Sequence, residues 1–133
     1  MNESEVITRM LHAIDRLDWQ VVRESFADVV ATDYTSLWGG EPAEVRAEQL
    51  MAQWQEFTAT FAATHHQTGP IVVSNGQAET HVTAFHWLPN GDAWIVLGHY
   101  IARLANGQIA ALTLQTFRAS GHEGLPTVEP RRP

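Results

Sequence analysis

Hydrophobic positions in the first 60 residues recur with the period of an α-helix. Apolar side chains return every three or four positions over residues 6–17 and form one stripe. Asn2, with Glu5 three residues later, has the form of a capping box at the start of this helix. Asp18 predicts the cap of a second, short helix that runs through Phe26.

In the segment that follows, the predicted secondary structure changes from a strand to a loop and then to a helix. Residues 29–34 form a short β-like run, and residues 36–42 contain two glycines and a proline, which predicts a loop. Apolar residues then return at helical spacing over residues 47–57. The N-terminal half is therefore predicted to supply three helices.

After Phe61 the hydrophobic period becomes two, which is typical of β-strands. Asn75-Gly76, Asn90-Gly91 and Asn106-Gly107 interrupt this pattern, and Asn-Gly favours tight hairpin turns because both central residues need a positive φ. Three hairpins join four long antiparallel strands, and long strands twist and bend. We therefore predict an α+β fold, a cone-shaped half-barrel in which three N-terminal helices pack on a strongly curved, mostly antiparallel sheet.

The strand register follows from the central turn. If Asn90-Gly91 is a two-residue turn, His86 faces Ile95 and Val82 faces His99. The inner face under the helices then includes His86, Ile95, Leu97, His99, Ile101, Leu112 and Leu114. The outer face carries five aromatic side chains: Phe85, Trp87, Trp94, Tyr100 and Phe117. So broad an apolar surface predicts a subunit interface and hence a homodimer.

Composition narrows the class of protein. The chain has 133 residues and a net charge of −7, all of its basic residues are Arg, and it has no Cys. Nucleic acid is therefore an unlikely partner, and thiolate, disulfide and lysine Schiff-base chemistry are excluded. There is no apolar run of membrane-spanning length and no signal-peptide pattern, so we expect a cytoplasmic protein. We assign residues 1–119 to one domain and residues 120–133 to a flexible tail.

Several short segments resemble SnoaL-like proteins of the nuclear transport factor 2-like superfamily, and among these the scytalone dehydratases. The resemblance spans roughly residues 5–118 and is carried by Ala13-Ile14-Asp15-Arg16-Leu17-Asp18-Trp19, Phe26-Ala27-Asp28, Asp33-Tyr34, Thr64-His65-His66 and Ala110-Ala111-Leu112. It implies a pocket between helices and sheet that needs no metal or organic cofactor. It also implies catalytic roles for Asp15, Tyr34, His66 and His86.

The sequence departs from the dehydratase pattern at two places. Ile14 replaces a tyrosine, and the segment Val96-Leu97-Gly98 has no counterpart of an expected asparagine. Both differences argue against scytalone itself as the substrate. Ideal pairing through Asn75-Gly76 also places His65, and not His66, beside His86, whereas the resemblance favours His66. A β-bulge would reconcile the two.

Two hypotheses of function follow. The first is a cofactor-independent lyase or isomerase that removes a proton next to a carbonyl of a small hydrophobic substrate. His86 would be the base, oriented by Asp15, with Tyr34 and His66 stabilising the developing charge. Trp38, Trp54, His99 and Leu114 are the candidate substrate-binding residues, and no ligand spacing supports a metal.

The second hypothesis is a non-catalytic module on the same fold, which binds a small molecule or serves assembly. In that case Asp15 is an exposed helix residue and His86 a hydrogen-bonded core residue. Contact between Asp15 and His86 in a closed cavity would favour the enzyme, and their separation would favour the module.

Overall fold

Four helical segments and seven strands make up the fold, which a computed structural model describes for residues 1–130. In chain order they are α1 (Glu3–Asp15), α2 (Trp19–Glu24), β1 (Phe26–Asp33), α3 (Thr35–Trp38), β2 (Ala43–Arg46), α4 (Ala47–Thr58), β3 (Ala63–Thr68), β4 (Val72–Ser74), β5 (Gln77–Trp87), β6 (Ala93–Ala105) and β7 (Gln108–Ser120).

The helix starts confirm the predicted caps. The Asn2 side chain accepts a hydrogen bond from the backbone N–H of Glu5 at 2.9 Å, and Asp18 caps α2 in the same way. The second helix is shorter than predicted, because Phe26 already begins β1. Likewise, the predicted loop contains the single turn α3 and leads directly into β2.

The strands form one open, curved and mostly antiparallel sheet in the order β2-β1-β7-β6-β5-β3, and the seventh strand, β4, also pairs with β5. The pairing of β1 with β7 is parallel. Apolar side chains of α1 and α4 pack with the inner face of the sheet into a single core. The predicted α+β fold, with N-terminal helices packed on a curved sheet, is confirmed.

Two of the three predicted hairpins are confirmed. Asn75 and Gly76 have φ of 53° and 76°, and Asn106 and Gly107 have φ of 54° and 76°. Positive φ at both central residues defines the type I′ turn that matches the twist of the flanking strands.

The middle connection is different, and the two-residue turn predicted at Asn90-Gly91 is wrong. The turn is one residue earlier, because the Gly91 N–H donates to the Leu88 carbonyl at 2.9 Å. Pro89 therefore occupies the first central position, which its fixed φ favours. The Leu88 N–H also donates to the Asp92 carbonyl at 2.8 Å, so the connection spans five residues.

This difference reverses the predicted faces of β6. His86 pairs with Trp94 and not with Ile95, and a one-residue slip turns every side chain to the other side of the sheet. Trp94 and Tyr100, predicted on the outer face, are buried under the helices. The outer face keeps Phe85, Trp87 and Phe117 and gains Leu97, which was predicted on the inner face. The homodimer through this face stays a prediction.

A second irregularity decides which histidine of the adjacent pair faces inward. In β3 His66 pairs with Ala84, whereas in β4 Val72 pairs with Glu79. The two strands are therefore offset by one residue along β5, and the break between them contains Gly69-Pro70. This offset puts His66, and not His65, on the same face as His86.

The C-terminal segment, where a flexible tail was predicted, contacts the sheet up to Val128. Ala119 pairs with Val128, and the Trp94 indole N–H donates to the Pro126 carbonyl at 2.9 Å. Leu125 also packs against the core. Residues 131–133 of the predicted tail lie outside the described residues. None of the helices within residues 1–130 has the length and apolarity needed to span a membrane.

Candidate active site

The site is built around Asp15, the last residue of α1. Its carboxylate accepts three hydrogen bonds from β3: from the Thr64 hydroxyl at 2.9 Å, from the His66 backbone N–H at 2.7 Å and from the His66 ring Nδ1 at 2.7 Å. The side chains of Asp15 and His66 are only 14% and 10% exposed. Alternation along β3 brings Thr64 and His66 to the same side, so one strand supplies all three donors.

These contacts keep Asp15 ionised. Burial alone would raise the pKa of the Asp15 carboxyl, but the hydrogen bonds and charge interaction with His66, helped by Thr64, outweigh burial and lower it. A carboxylate only accepts hydrogen bonds, so His66 Nδ1 must be the donor. The neutral His66 ring then carries its lone pair on Nε2, where it can accept a proton.

His86 lies next to this pair but is held differently. Its Nδ1 donates to the backbone carbonyl of Trp94 at 3.0 Å, and its ring centroid is 6.2 Å from that of His66. Burial lowers the pKa of His86 to about 4, so the ring is neutral at neutral pH. The predicted Asp15–His86 dyad is wrong: among the described residues the carboxylate binds His66, because the offset between β3 and β4 presents that histidine to the end of α1.

Two tyrosine side chains lie on another side of the site. Tyr34 follows β1 directly, and Tyr100 lies on β6. Burial and the neighbouring Tyr100 raise the pKa of the Tyr34 phenol well above its ordinary value. Burial also raises the pKa of Tyr100, with a further contribution from the negative charge of Asp15. Both phenols are therefore protonated at neutral pH and can donate hydrogen bonds.

A cavity of about 340 Å³ brings these groups together. Its wall includes His66, His86, Tyr34 and Tyr100, whereas Asp15 is not part of the wall and lies behind His66. The remaining wall is largely apolar and aromatic, with Trp38, Trp54, Phe57, Trp94, Leu112 and Leu114 among its members. Trp38 is 51% exposed, so it lies at an opening of the cavity.

Of the four candidate substrate-binding residues, Trp38, Trp54 and Leu114 therefore lie at the cavity. The prediction that His99 lies on the inner face is wrong. The register of β6 turns its ring to the outer face, where Nε2 lies 3.1 Å from Glu79 Oε1.

Tyr100 and Trp94 line the cavity although the sequence pattern did not predict it, because the positions of both depend on that register. Pro89 was the available signal, since proline favours the first central position of a turn. Thr64 was missed as a partner of Asp15. Within residues 1–130 no three His, Asp or Glu side chains converge in an arrangement that could hold a metal ion.

Helices packed over a curved, mostly antiparallel sheet form the fold that solved NTF2-like proteins also have. The family profile of the SnoaL-like domain matches residues 4–108, and the chain belongs to this family. Among proteins of curated function, none matches the chain significantly.

Solved structures show the same fold. The Kfla4162 protein of Kribbella flavida is 24% identical, with a TM-score of 0.77 over 87% of this chain and 88% of its own. A proposed scytalone dehydratase of Novosphingobium aromaticivorans is 16% identical, with a TM-score of 0.75 over 98% and 91%. IdmH, a proposed polyketide cyclase of Streptomyces antibioticus, is 19% identical, with a TM-score of 0.71 over 87% and 92%.

Proposed function

We propose that the protein is a cofactor-independent lyase or isomerase that transfers a proton next to a carbonyl group of a small hydrophobic substrate. The observation that carries this proposal is the Asp15–His66 contact of 2.7 Å at the wall of an apolar cavity. A carboxylate that fixes the tautomer and orientation of an imidazole is the arrangement that general-base catalysis requires.

In this mechanism His66 replaces His86 as the base. His66 Nε2 removes the proton next to the carbonyl, and the resulting imidazolium is stabilised by the ionised Asp15. Asp15 is therefore a positioning residue, since it acts through His66. The same imidazolium returns the proton to the substrate or to a departing hydroxyl group.

The other polar groups stabilise the developing negative charge and orient the substrate. The protonated phenols of Tyr34 and Tyr100 donate hydrogen bonds to the oxygen on which negative charge develops. His86, neutral and with its lone pair on Nε2, accepts a hydrogen bond from a hydroxyl group of the substrate. Such a site favours a hydroxylated ketone.

The volume and the lining of the cavity support a small, cyclic substrate. A volume of about 340 Å³ is near the lower end of small-molecule sites, and aromatic walls favour a flat ring system. The names of two structural neighbours, a proposed scytalone dehydratase and a proposed polyketide cyclase, support a substrate of this kind. We propose a one- or two-ring hydroxyketone.

The experiment is solvent exchange. The protein is incubated in D₂O with a panel of cyclic hydroxyketones, and loss of the proton next to the carbonyl is followed by ¹H NMR. We expect exchange with the native chain and none above background with His66→Asn. The matched control is His65→Asn, because the adjacent histidine points to the opposite face and should leave exchange unchanged.

The non-catalytic module remains the second candidate. It is favoured by Ile14 in place of a tyrosine and by the segment Val96-Leu97-Gly98, which has no counterpart of the expected asparagine. It is also favoured by His86, which binds the Trp94 carbonyl and not Asp15. It predicts that cyclic ketones bind without exchange. It further predicts that Asp15→Asn leaves their affinity within about twofold of the native chain. Binding with no exchange for any ketone of the panel would overturn the catalytic proposal.

A further inference from the structure

His81 and His99 face each other on the outer surface of the sheet, on the side opposite the cavity. They are direct partners in the pairing of β5 with β6, and their Nδ1 atoms are 3.3 Å apart. The two ring centroids are separated by 5.0 Å. His81 is exposed, and the side chain of His99 is 22% exposed, so solvent reaches the pair in the single chain.

A third side chain fixes the orientation of one ring. His99 Nε2 lies 3.1 Å from Glu79 Oε1, and a carboxylate can only accept, so Nε2 carries the proton. The neutral His99 ring therefore has its lone pair on Nδ1, directed toward His81. His81 satisfies this lone pair by donating from its own Nδ1.

The separation of the two nitrogens matches a tetrahedral metal site. Zinc binds imidazole nitrogen at about 2.0–2.1 Å, which places two ligands of a regular tetrahedron about 3.3–3.4 Å apart. The observed distance of 3.3 Å between the two Nδ1 atoms agrees with this value. A carboxylate on the far nitrogen of a metal-binding histidine is also the usual outer support of such a ligand.

We propose that His81 and His99 form a surface site for one divalent transition-metal ion such as Zn²⁺, with both Nδ1 atoms as ligands, Glu79 as the positioning residue and water completing the coordination. His81 then carries its single proton on Nε2 in place of Nδ1, so its ring stays neutral. Oxygen-seeking ions such as Mg²⁺ should not bind, because both protein ligands are nitrogens.

The test is calorimetric titration of the untagged full chain with ZnCl₂ and, separately, with MgCl₂. We expect saturable Zn²⁺ binding and no Mg²⁺ binding. The variant His81→Asn should lose the Zn²⁺ isotherm, and Glu79→Ala should bind about tenfold more weakly, as expected when an outer-shell carboxylate is removed. A stoichiometry of one Zn²⁺ per chain would support the site. One Zn²⁺ per two chains would also support it, because a second copy would then add its own His81–His99 pair to the same ion.

The matched control is His65→Asn, which removes another outer-face histidine and should leave Zn²⁺ binding unchanged. Thermal melts supply a second readout, since Zn²⁺ should raise the Tm of the native chain but not that of His81→Asn. Undiminished binding by His81→Asn would overturn the proposal. If Zn²⁺ binding were lost in His66→Asn and retained in His81→Asn, the metal would bind in the cavity, and the proposal would be overturned equally.

Discussion

Asp15 and His66 are joined twice: one carboxylate oxygen contacts the ring Nδ1 and the other accepts the backbone N–H, each at 2.7 Å. This double contact fixes both the imidazole and the strand that carries it. Because Nδ1 donates to the carboxylate, the neutral His66 ring has its lone pair on Nε2. The orientation of the ring therefore depends on α1 as much as on β3.

Asp15→Asn should abolish most of the proton transfer while the chain remains folded. The amide can donate to His66 Nδ1, which forces the ring into the tautomer whose Nε2 carries a proton and cannot act as a base. We expect the rate of solvent exchange to fall by roughly 10³-fold or more, as for comparable replacements of an orienting carboxylate. Asp33→Asn, at a carboxylate that accepts a hydrogen bond from the Thr35 backbone N–H, is the matched control, and an equal loss there would contradict the assignment.

Unfolding should depend on pH through His86. The pKa of this histidine is about 4 in the folded chain, against an ordinary value of 6.5 for a solvated histidine, so the unfolded state binds the proton more tightly. The contribution of the neutral His86 ring to the free energy of unfolding is fully present above pH 6.5 and is lost as the pH falls toward 4. The total loss is about 3 kcal/mol. Urea unfolding at several pH values measures this loss.

His86→Gln should flatten that part of the pH profile, because a side chain without a titrating ring replaces the buried imidazole. His65→Asn should retain the profile, since His65 is exposed. A profile of the same slope in His86→Gln would show that another group carries the dependence. Asp15, whose pKa is lowered, adds stability that is lost only at lower pH, below its ordinary value of 3.8.

Gly98→Ala should destabilise the fold. A Cβ at this position would lie 2.5 Å from the Gln115 carbonyl oxygen and 3.0 Å from Leu114, so β6 and β7 would have to separate. We expect a loss of about 1–3 kcal/mol in the free energy of unfolding, measured by urea denaturation. Gly69→Ala is the matched control, because its Cβ would meet nothing closer than 4.0 Å.

A chain that ends at Ser120 should keep its fold but lose the wall around Trp94. The indole N–H would lose its bond to Pro126, and Leu125 and Val128 would no longer pack against the core. Tryptophan fluorescence should shift to longer wavelength as water reaches the ring. A chain that ends at Pro130 should retain the spectrum of the native protein, and an equal shift there would contradict this account.

Phe117→Ser should weaken the predicted homodimer. This side chain is 48% exposed on the outer face of the sheet, beside Leu97 at 39%. Light scattering after size exclusion should give twice the chain mass for the native protein and a larger monomer fraction for the variant. A native protein that elutes as a monomer at every concentration would refute the interface.

The fold could be predicted from the sequence because its signals are local. The Asn2 cap, the helical stripe of α1 and two Asn-Gly turns act within a few residues of each other. The candidate site depended on two single-residue shifts in strand register. Pro89 moves one turn, and the break at Gly69-Pro70 offsets β3 from β4.

Each shift exchanges the faces of a whole strand, and so it decides which side chains enter the cavity. The first brings Tyr100 inside and sends His99 out, and the second gives Asp15 its partner in His66. Alternation alone contains no information on a shift of one residue. The resemblance to known proteins supplied His66 where ideal pairing favoured His65.

The bond between Asp15 and His66 spans 51 positions of the chain. The carboxylate is carried by the N-terminal helix and the imidazole by a strand of the sheet, so the contact exists only while α1 is packed on β3. The geometry proposed for proton transfer therefore depends on the docking of a helix and not on the sheet alone. Met10, Leu11 and Ile14 of the same helix line the cavity, so loosening α1 from its distant end, for example by removing the Asn2 cap, would disturb both the Asp15–His66 contact and the cavity wall.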